Sequence, residues 1–368
     1  MIKKFRKFFT LSVKITAPFL IAALVLGLLA PNINPYHFWI AAFMGLAYPV
    51  TWVLCLVWTI LLIRNRKWFF LLLIFVIAGT PMMLRHFTLP LKNADISNTE
   101  YRIASYNVHG FAGMGEGRSS YERQKLIHDF VNGLNPDVVC MQEYPMKSRK
   151  HALYIDHLNY GLNLSYKHLS EFDPDFKGTT YTFMTASKFP VIQQGTIFTM
   201  ESDICGIFSD IQFPEGVIRV YNIHLQSVKL LNEKKILRPH RNFKAVRFIT
   251  TYLKRTFNKL RTAYPARAYQ AGMVAESIRT CPYPVIIAGD FNDTPASYSY
   301  HLLSKGLRDA AINRGLGFHK TYAESLYPIR IDHVLVDTRL IPGGYKRFKI
   351  YLSDHFPVET GFSFKQSR

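Results

Sequence analysis

The sequence predicts an α/β domain built as two packed mixed sheets flanked by helices, set behind three transmembrane helices. Three observations carry this prediction. The first hundred residues contain three apolar runs of membrane-spanning length. Beyond them, short buried-strand patterns come first and last with helical patterns between, as in two sheets packed together and covered by helices. A length of 368 residues also leaves room for roughly two to three folding units.

The three runs are Leu11 to Ala30, Phe38 to Ile63 and Trp68 to Leu84, each near the roughly 17–25 residues that cross a bilayer. Pro31 to Pro35 and Arg64 to Lys67 separate them, and Trp39, Trp58 and Trp68 lie near span ends, where indole rings prefer the interface. Lys3, Lys4, Arg6, Lys7 and Lys14 precede the first span's centre, the first loop lacks Lys and Arg, and the second carries three. The positive-inside rule therefore puts the N-terminus in the cytoplasm and everything after the third span on the extracytoplasmic side of the cell membrane. A cleaved signal peptide is a second reading of residues 1 to 30, and it would still leave two anchoring spans. The expected domains are a membrane module at 1–87, a polar tether at 88–100 and a catalytic domain at 101–368.

Residues 1–100 hold ten Lys and Arg against two Asp and Glu, and the remainder 35 against 23. A basic domain favours anionic partners: nucleic acid, phospholipid head groups or phosphorylated small molecules. Cys55, Cys140, Cys205 and Cys281 have no zinc-site or disulfide-framework spacing, though Cys205 and Cys281 could pair in an oxidising compartment.

The catalytic domain opens with a strand at Arg102 to Val108 and a helix at Tyr121 to Leu134, where apolar residues recur at helical spacing until Asn135-Pro136. A buried strand follows at Asp137 to Glu143. Four β-rich runs come next: Thr179 to Ala186, Val191 to Phe198, Gly206 to Phe213 and Val217 to Leu225. After the strand in VIIAGDFND (Val285 to Asp293), three more are expected at Arg330 to Val336, Phe348 to Leu352 and Pro357 to Phe364.

Polar residues cluster where these strands end: Asn107, Glu143, Asn222 and His224, Asp290 and Asn292, Asp332 and His333, Asp354 and His355. One such residue alone is an ordinary turn or capping group. So many buried carboxylates, amides and imidazoles in one domain point to a shared polar site, because an isolated buried charge is costly unless paired or metal-bound.

The asparagine in SYNV, the glutamate in VVCMQE, the histidine in YNIHL, the GDFN element and the terminal SDHFPV together resemble the endonuclease/exonuclease/phosphatase superfamily, here as a membrane-anchored bacterial-type member. The resemblance runs from about Arg102 to Phe364 and implies a four-layer α/β/β/α sandwich. It also implies roles: Glu143 as principal metal ligand assisted by Asn107 and Asp354, His355 as catalytic histidine oriented by Asp332, Asp290 and Asn292 positioning the attacking water, and His224 contacting the phosphate. Mg²⁺, or Mn²⁺, suits the hard oxygen donors of Glu143 and Asp354. The implied activity is metal-assisted hydrolysis of a phosphodiester or phosphomonoester. The alternative is a non-catalytic phospholipid- or nucleic-acid-binding module on the same fold.

The substrate is less legible. The segment 227–267 carries twelve Lys and Arg against Glu233 alone, with Phe243, Val246, Ile249 and Leu253 at near-helical spacing. Three readings compete: contact with anionic lipid, tracking of a nucleic-acid backbone, or a solvated lid. Lys167, His168 and the loop Glu171 to Thr180 are expected at the cleft rim. The glycines of GMGEG (Gly113, Gly115, Gly117) lack the spacing of a phosphate-binding loop and read as a turn.

Overall fold

The computed structural model describes residues 2–91, 95–113, 117, 119–147, 161–170, 179–199, 204–228, 245–312, 314–325 and 327–365. They form two compact units, one of Met1–Gly79, Leu225–Gly272 and Ala296–His301, the other of Thr80–His224, Met273–Pro295 and Leu302–Arg368.

The first unit contains α1 (Ile2–Leu29), α2 (Trp39–Leu46), α3 (Tyr48–Leu61) and most of α4 (Arg66–His86). Two stretches, Leu11–Asn32 and Arg66–His86, are long and apolar enough to cross a membrane, or three if α2 and α3 count as one broken span. The run Phe38 to Ile63 is thus not one straight helix: α2 and α3 meet at a 64° bend. Pro49 lies in the first turn of α3, where its missing N–H costs nothing but cannot extend the preceding helix. Inside this unit the Tyr48 hydroxyl donates to the Gly79 carbonyl (2.6 Å) and the Trp52 indole to Val76 (3.0 Å). The N-terminal part of α6 (Ala245–Arg279) joins it, with Phe257 stacked on Phe43 at 4.6 Å between ring centroids.

The second unit holds two six-stranded mixed sheets, each with one parallel pair at its middle. In the first, of order β11-β12-β1-β2-β4-β3, β1 (Tyr101–Asn107) runs parallel to β2 (Val138–Lys147). β3 spans Tyr166–Leu169, β4 Thr179–Ser187, β11 Leu340–Arg347 and β12 Val358–Phe364. In the second, of order β5-β6-β7-β8-β10-β9, β7 (Gly216–His224) runs parallel to β8 (Val285–Asp290). Its other strands are β5 (Val191–Phe198), β6 (Ile204–Phe213), β9 (Leu307–Asp309) and β10 (Asp332–Asp337). Two crossover helices serve the parallel pairs, α5 (Ser120–Leu134) between β1 and β2 and α6 between β7 and β8. A short helix, α7 (Tyr298–Leu303), follows β8.

Alternation along β2 sorts the two faces. Val138 and Cys140 enter the core between the sheets with Ile103, Val220, Ile286 and Val334, whereas Val139 and Met141 face outward with Ile127 and Val131 of α5. On the far side the Tyr221 hydroxyl of β7 meets Ser277 of α6 at 3.0 Å. The layers are therefore helix, sheet, sheet, helix.

α5 begins at a capping box in which Ser119 and Glu122 satisfy each other's backbone N–H, and ends with Asn135 in the left-handed conformation. Two differences from the sequence reading stand out. Phe348 to Leu352 is not a strand: Phe348 packs edge-on against Phe130, and Ile350 and Leu352 pack on the α5 side of the first sheet. The strand there is β11, whose Pro342-Gly343-Gly344 interruption is absorbed by an irregularity between Pro342 and Tyr345. Cys205 and Cys281 are both free thiols.

Candidate active site

The two parallel pairs aim their carboxyl ends at one rim. β1 delivers Asn107 and β2 delivers Glu143; β7 delivers His224 directly opposite Asp290 of β8. β10 is antiparallel to β8 and starts at the same rim, with Asp332 paired to Asp290. The loop entering β12, antiparallel to β1, adds Asp354 and His355.

Local backbone geometry turns these side chains inward. Glu143 lies where β2 shifts register against β4 and has φ 50°, and Asn292 has φ 51°. Gly289 has φ 152°, and a Cβ there would stand 2.0 Å from the Ile223 carbonyl oxygen, so only glycine lets β8 approach β7 this closely.

All eight anticipated residues converge. Asp290 Oδ2 is the hub: it accepts from Asn107 Nδ2 (3.1 Å) and Asn292 Nδ2 (3.0 Å), and lies 3.4 Å from His224 Nε2 and 3.6 Å from His355 Nε2. The Asn292 backbone N–H donates to the other Asp290 oxygen at 2.8 Å. His355 Nδ1 sits 2.9 Å from Asp332 Oδ2. Glu143 Oε1 accepts from Asn107 Nδ2 at 3.3 Å and lies 3.5 Å from His224 Nε2. Asp354 is held by the Ser353 hydroxyl (3.2 Å). The Glu143 and His224 side chains keep 20% and 18% exposure against 1–7% for Asp290, Asp332, Asp354 and His355, so the first two form the open side of the site.

The electrostatics divide the carboxylates. Burial pushes the Asp290 carboxyl up to about 6, reinforced by Asp332 and opposed by His355 and His224. Burial would also raise Glu143, but His224, His109, His355 and the Asn107 hydrogen bond outweigh it and hold the group below its usual value. His355 is buried, which disfavours its charge, yet Asp332 and Asp290 raise it well above the ordinary imidazole value. His224 Nε2 is buried and aimed into the site, 3.4 Å from Asp290 Oδ2 and 3.5 Å from Glu143 Oε1 but in no well-formed hydrogen bond.

One participant was not anticipated. His109 has φ 46°, and its Nδ1 lies 3.5 Å from Glu143 Oε2 and 3.4 Å from Asp354 Oδ2. Its signal was the HG pair directly after SYNV, which reads as the start of a turn. Two residues grouped with the set do not join it. Asn222 is buried and donates to the Met141 and Met184 carbonyls, a bridge between the sheets, and His333 Nε2 donates away from the rim, to the Asp293 carbonyl at 2.9 Å.

Two donor sets could hold a cation. Asp290, Asp332 and His355 bring ligand atoms within 4.8 Å of one another. Glu143 and Asp354 flank His109 on the more open side. Asn107 turns its amide nitrogen toward Glu143 while its oxygen accepts from the His109 backbone, so it orients the carboxylate and could offer oxygen only after an amide flip.

The remaining expectations fall unevenly. His168 is buried against Ser209 at 2.9 Å rather than on a rim. Gly115, residues 171–178 and residues 229–244 of the basic segment, including Phe243, lie outside the described residues. Within α6, Lys254, Arg255 and Arg261 are exposed, whereas Arg267 is 2% exposed and donates to the Gln226 carbonyl at 2.7 Å.

The chain matches the Endonuclease/Exonuclease/phosphatase family over residues 104–355 and a domain of unknown function over residues 6–86. Among solved structures it is similar to an endonuclease/exonuclease/phosphatase from Bacteroides vulgatus (17% identity, 72% of this chain, 99% of that one, TM-score 0.50). It is also similar to a mannosyl-6-phosphatase from Bacteroides thetaiotaomicron (19% identity, 72% and 100%, TM-score 0.47) and to another family protein from that organism (18% identity, 73% and 96%, TM-score 0.49). No curated protein matches.

Proposed function

Because the chain belongs to the endonuclease/exonuclease/phosphatase family, we propose that it is a membrane-tethered, divalent-metal-dependent phosphoesterase. The observation that carries this reading is the meeting of Asn107, Glu143, His224, Asp290, Asn292, Asp332, Asp354 and His355 at one rim formed by both sheets.

Glu143 and Asp354 fit a hard divalent cation: both are oxygen donors, and Glu143 is kept ionised by its neighbours. Mg²⁺ or Mn²⁺ held there would neutralise non-bridging phosphate oxygens and stabilise the departing one. Asp290, with its carboxyl raised to about 6, is poised to take the proton of an attacking water that Asn292 helps to orient. His355, kept protonated, donates Nδ1–H to Asp332 and leaves Nε2–H for a phosphate oxygen. His224 Nε2, which makes no hydrogen bond within the protein, supplies a second donor to that oxygen set.

The proposed division of the chain is a three-span membrane module (1–87), a connector (88–100) and a catalytic domain (101–368), with the N-terminus cytoplasmic and the catalytic domain outside the cell membrane. The two long apolar helices and the bent pair support the membrane module, and the excess of Lys and Arg before the first span and in the second loop supports the orientation. The substrate is a phosphoester of nucleic acid, phospholipid or a small molecule, and the cations of 227–267 favour anionic surroundings. The test is hydrolysis by the purified full chain with Mg²⁺, assayed on DNA, RNA, phospholipid and sugar-phosphate substrates. Cleavage that depends on the metal supports the reading; a chain that binds these ligands and cleaves none supports the non-catalytic module.

A further inference from the structure

Behind the catalytic rim lies a second buried polar network, and it includes the end of a membrane-type helix. Arg330 is 3% exposed. Its Nη1 pairs with Asp309 Oδ2 at 2.8 Å and donates to His333 Nδ1 at 2.9 Å, and its Nη2 donates to the Arg85 carbonyl in the last turn of α4 at 3.1 Å. With Nδ1 accepting, the His333 imidazole is neutral and its Nε2–H donates to the Asp293 carbonyl at 2.9 Å. Burial, then Arg330, push His333 down to about 4, which agrees with that neutral form.

The chain leaving α4 is pinned beside this network. Thr88, 1% exposed, exchanges backbone hydrogen bonds with Gly317 (2.9 and 3.1 Å). Its hydroxyl lies 3.0 Å from the Gly315 carbonyl and 2.6 Å from His319 Nε2. Phe87 packs edge-on against Phe318. The start of the stretch read as a polar tether is thus fixed within the unit that carries the sheets.

Arg330 and His333 also flank the reacting groups. His333 follows Asp332, which orients His355, and it grips the carbonyl next to Asn292 in the loop that closes β8. Phe291 of that loop lies against the His333 ring at 4.8 Å, and its backbone N–H donates to the Ile331 carbonyl at 2.9 Å. One guanidinium therefore holds three things together: the end of α4, the strand of Asp332, and, through His333, the loop of Asp290 and Asn292.

We infer that Arg330 and His333 are positioning residues that make the geometry of the catalytic centre depend on the docked segment Arg85–Thr88. The inference rests on the phosphoesterase reading for its kinetic consequence only. A planar group with donors in fixed directions is needed for this junction, and lysine cannot span it.

The test uses the full chain in detergent micelles with Mg²⁺ and bis(p-nitrophenyl) phosphate. Arg330→Met and Thr88→Pro, which removes the N–H given to Gly317, are compared with Arg219→Met, which breaks the buried Arg219–Asp210 pair (2.5 and 2.7 Å) elsewhere in the second sheet. The expected result is a kcat at least tenfold lower for Arg330→Met and Thr88→Pro with KM within twofold, and an unchanged kcat for Arg219→Met. Hydrogen exchange gives an arm independent of turnover: Thr88→Pro should speed exchange at least tenfold at Ile331 and Asp332 as well as around Thr88. Exchange that rises only around Thr88, or equal kcat losses in Arg330→Met and Arg219→Met, overturns the coupling. A wild-type chain without turnover would count against the phosphoesterase reading, while the exchange arm still decides the coupling.

Discussion

His355 Nδ1 lies 2.9 Å from Asp332 Oδ2, and the other ring nitrogen of His355 faces Asp290 at 3.6 Å. The imidazole thus stands between a carboxylate that holds its orientation and one that stands at the hub of the site. Asp332→Asn keeps the shape but removes the charge that favours the imidazolium. We expect kcat to fall by roughly 10²-fold or more with the fold intact, measured by steady-state hydrolysis alongside circular dichroism.

Glu143→Gln retains the hydrogen bond from Asn107 but loses the negative charge facing His109 and His224. The Mg²⁺ concentration at half-maximal activity should rise by roughly an order of magnitude or more, because a hard cation depends on carboxylate charge. A metal titration of the variant checks this; an unchanged midpoint would remove Glu143 from the metal site.

Gly289→Ala should be severely destabilising. The left-handed backbone alone costs roughly 1–3 kcal/mol for a side-chain-bearing residue, and the new Cβ would also press on the Ile223 carbonyl from 2.0 Å. Thermal unfolding should show a large fall in Tm or loss of soluble folded protein, whereas Gly272→Ala, where the backbone is helical and nothing lies within 4 Å, should be far milder.

Acidification should weaken the fold. Burial pushes His168 and His333 each down to about 4, so between pH 6.5 and 4 the unfolded chain binds protons that the folded one excludes. Each such group lowers stability by up to about 1.4 kcal/mol per pH unit across that window. Asp290 acts in the opposite sense, since its raised carboxyl, near 6, lets the folded state hold a proton that the unfolded state releases above 3.8. Three imidazoles, with His319 also pushed down to about 4 by burial, against the raised carboxyls of Asp290 and Glu359 leave a net fall in Tm from pH 6.5 toward 4.5, which scanning calorimetry would measure, and His168→Gln should flatten it.

The parts of the site that could be read from sequence are those that close an apolar strand. Asn107, Glu143, His224 and Asp290 follow runs such as IASY and VIIAG, which are buried on both faces, so that several polar residues at their ends need a shared partner. His109 escaped because its place depends on a left-handed turn rather than on strand periodicity. Asn222 and His333 show the opposite error: polarity at a strand end does not say which face the side chain takes, and one-residue alternation sends His333 away from Asp332. β11 was hidden by Pro342-Gly343-Gly344, and the apolar Phe348 to Leu352 imitated it because its side chains are buried without a ladder. The docking of Thr88 onto Gly317 links residues more than two hundred positions apart, and no local pattern records it.

The most direct test of the account is metal-dependent hydrolysis by the purified full chain, compared with Asp290→Asn and His355→Ala. The account predicts phosphoester cleavage by the wild type that is abolished by a chelator and restored by Mg²⁺ or Mn²⁺, and absent from both folded variants. Cleavage that persists in either folded variant, or that ignores the chelator, would contradict it.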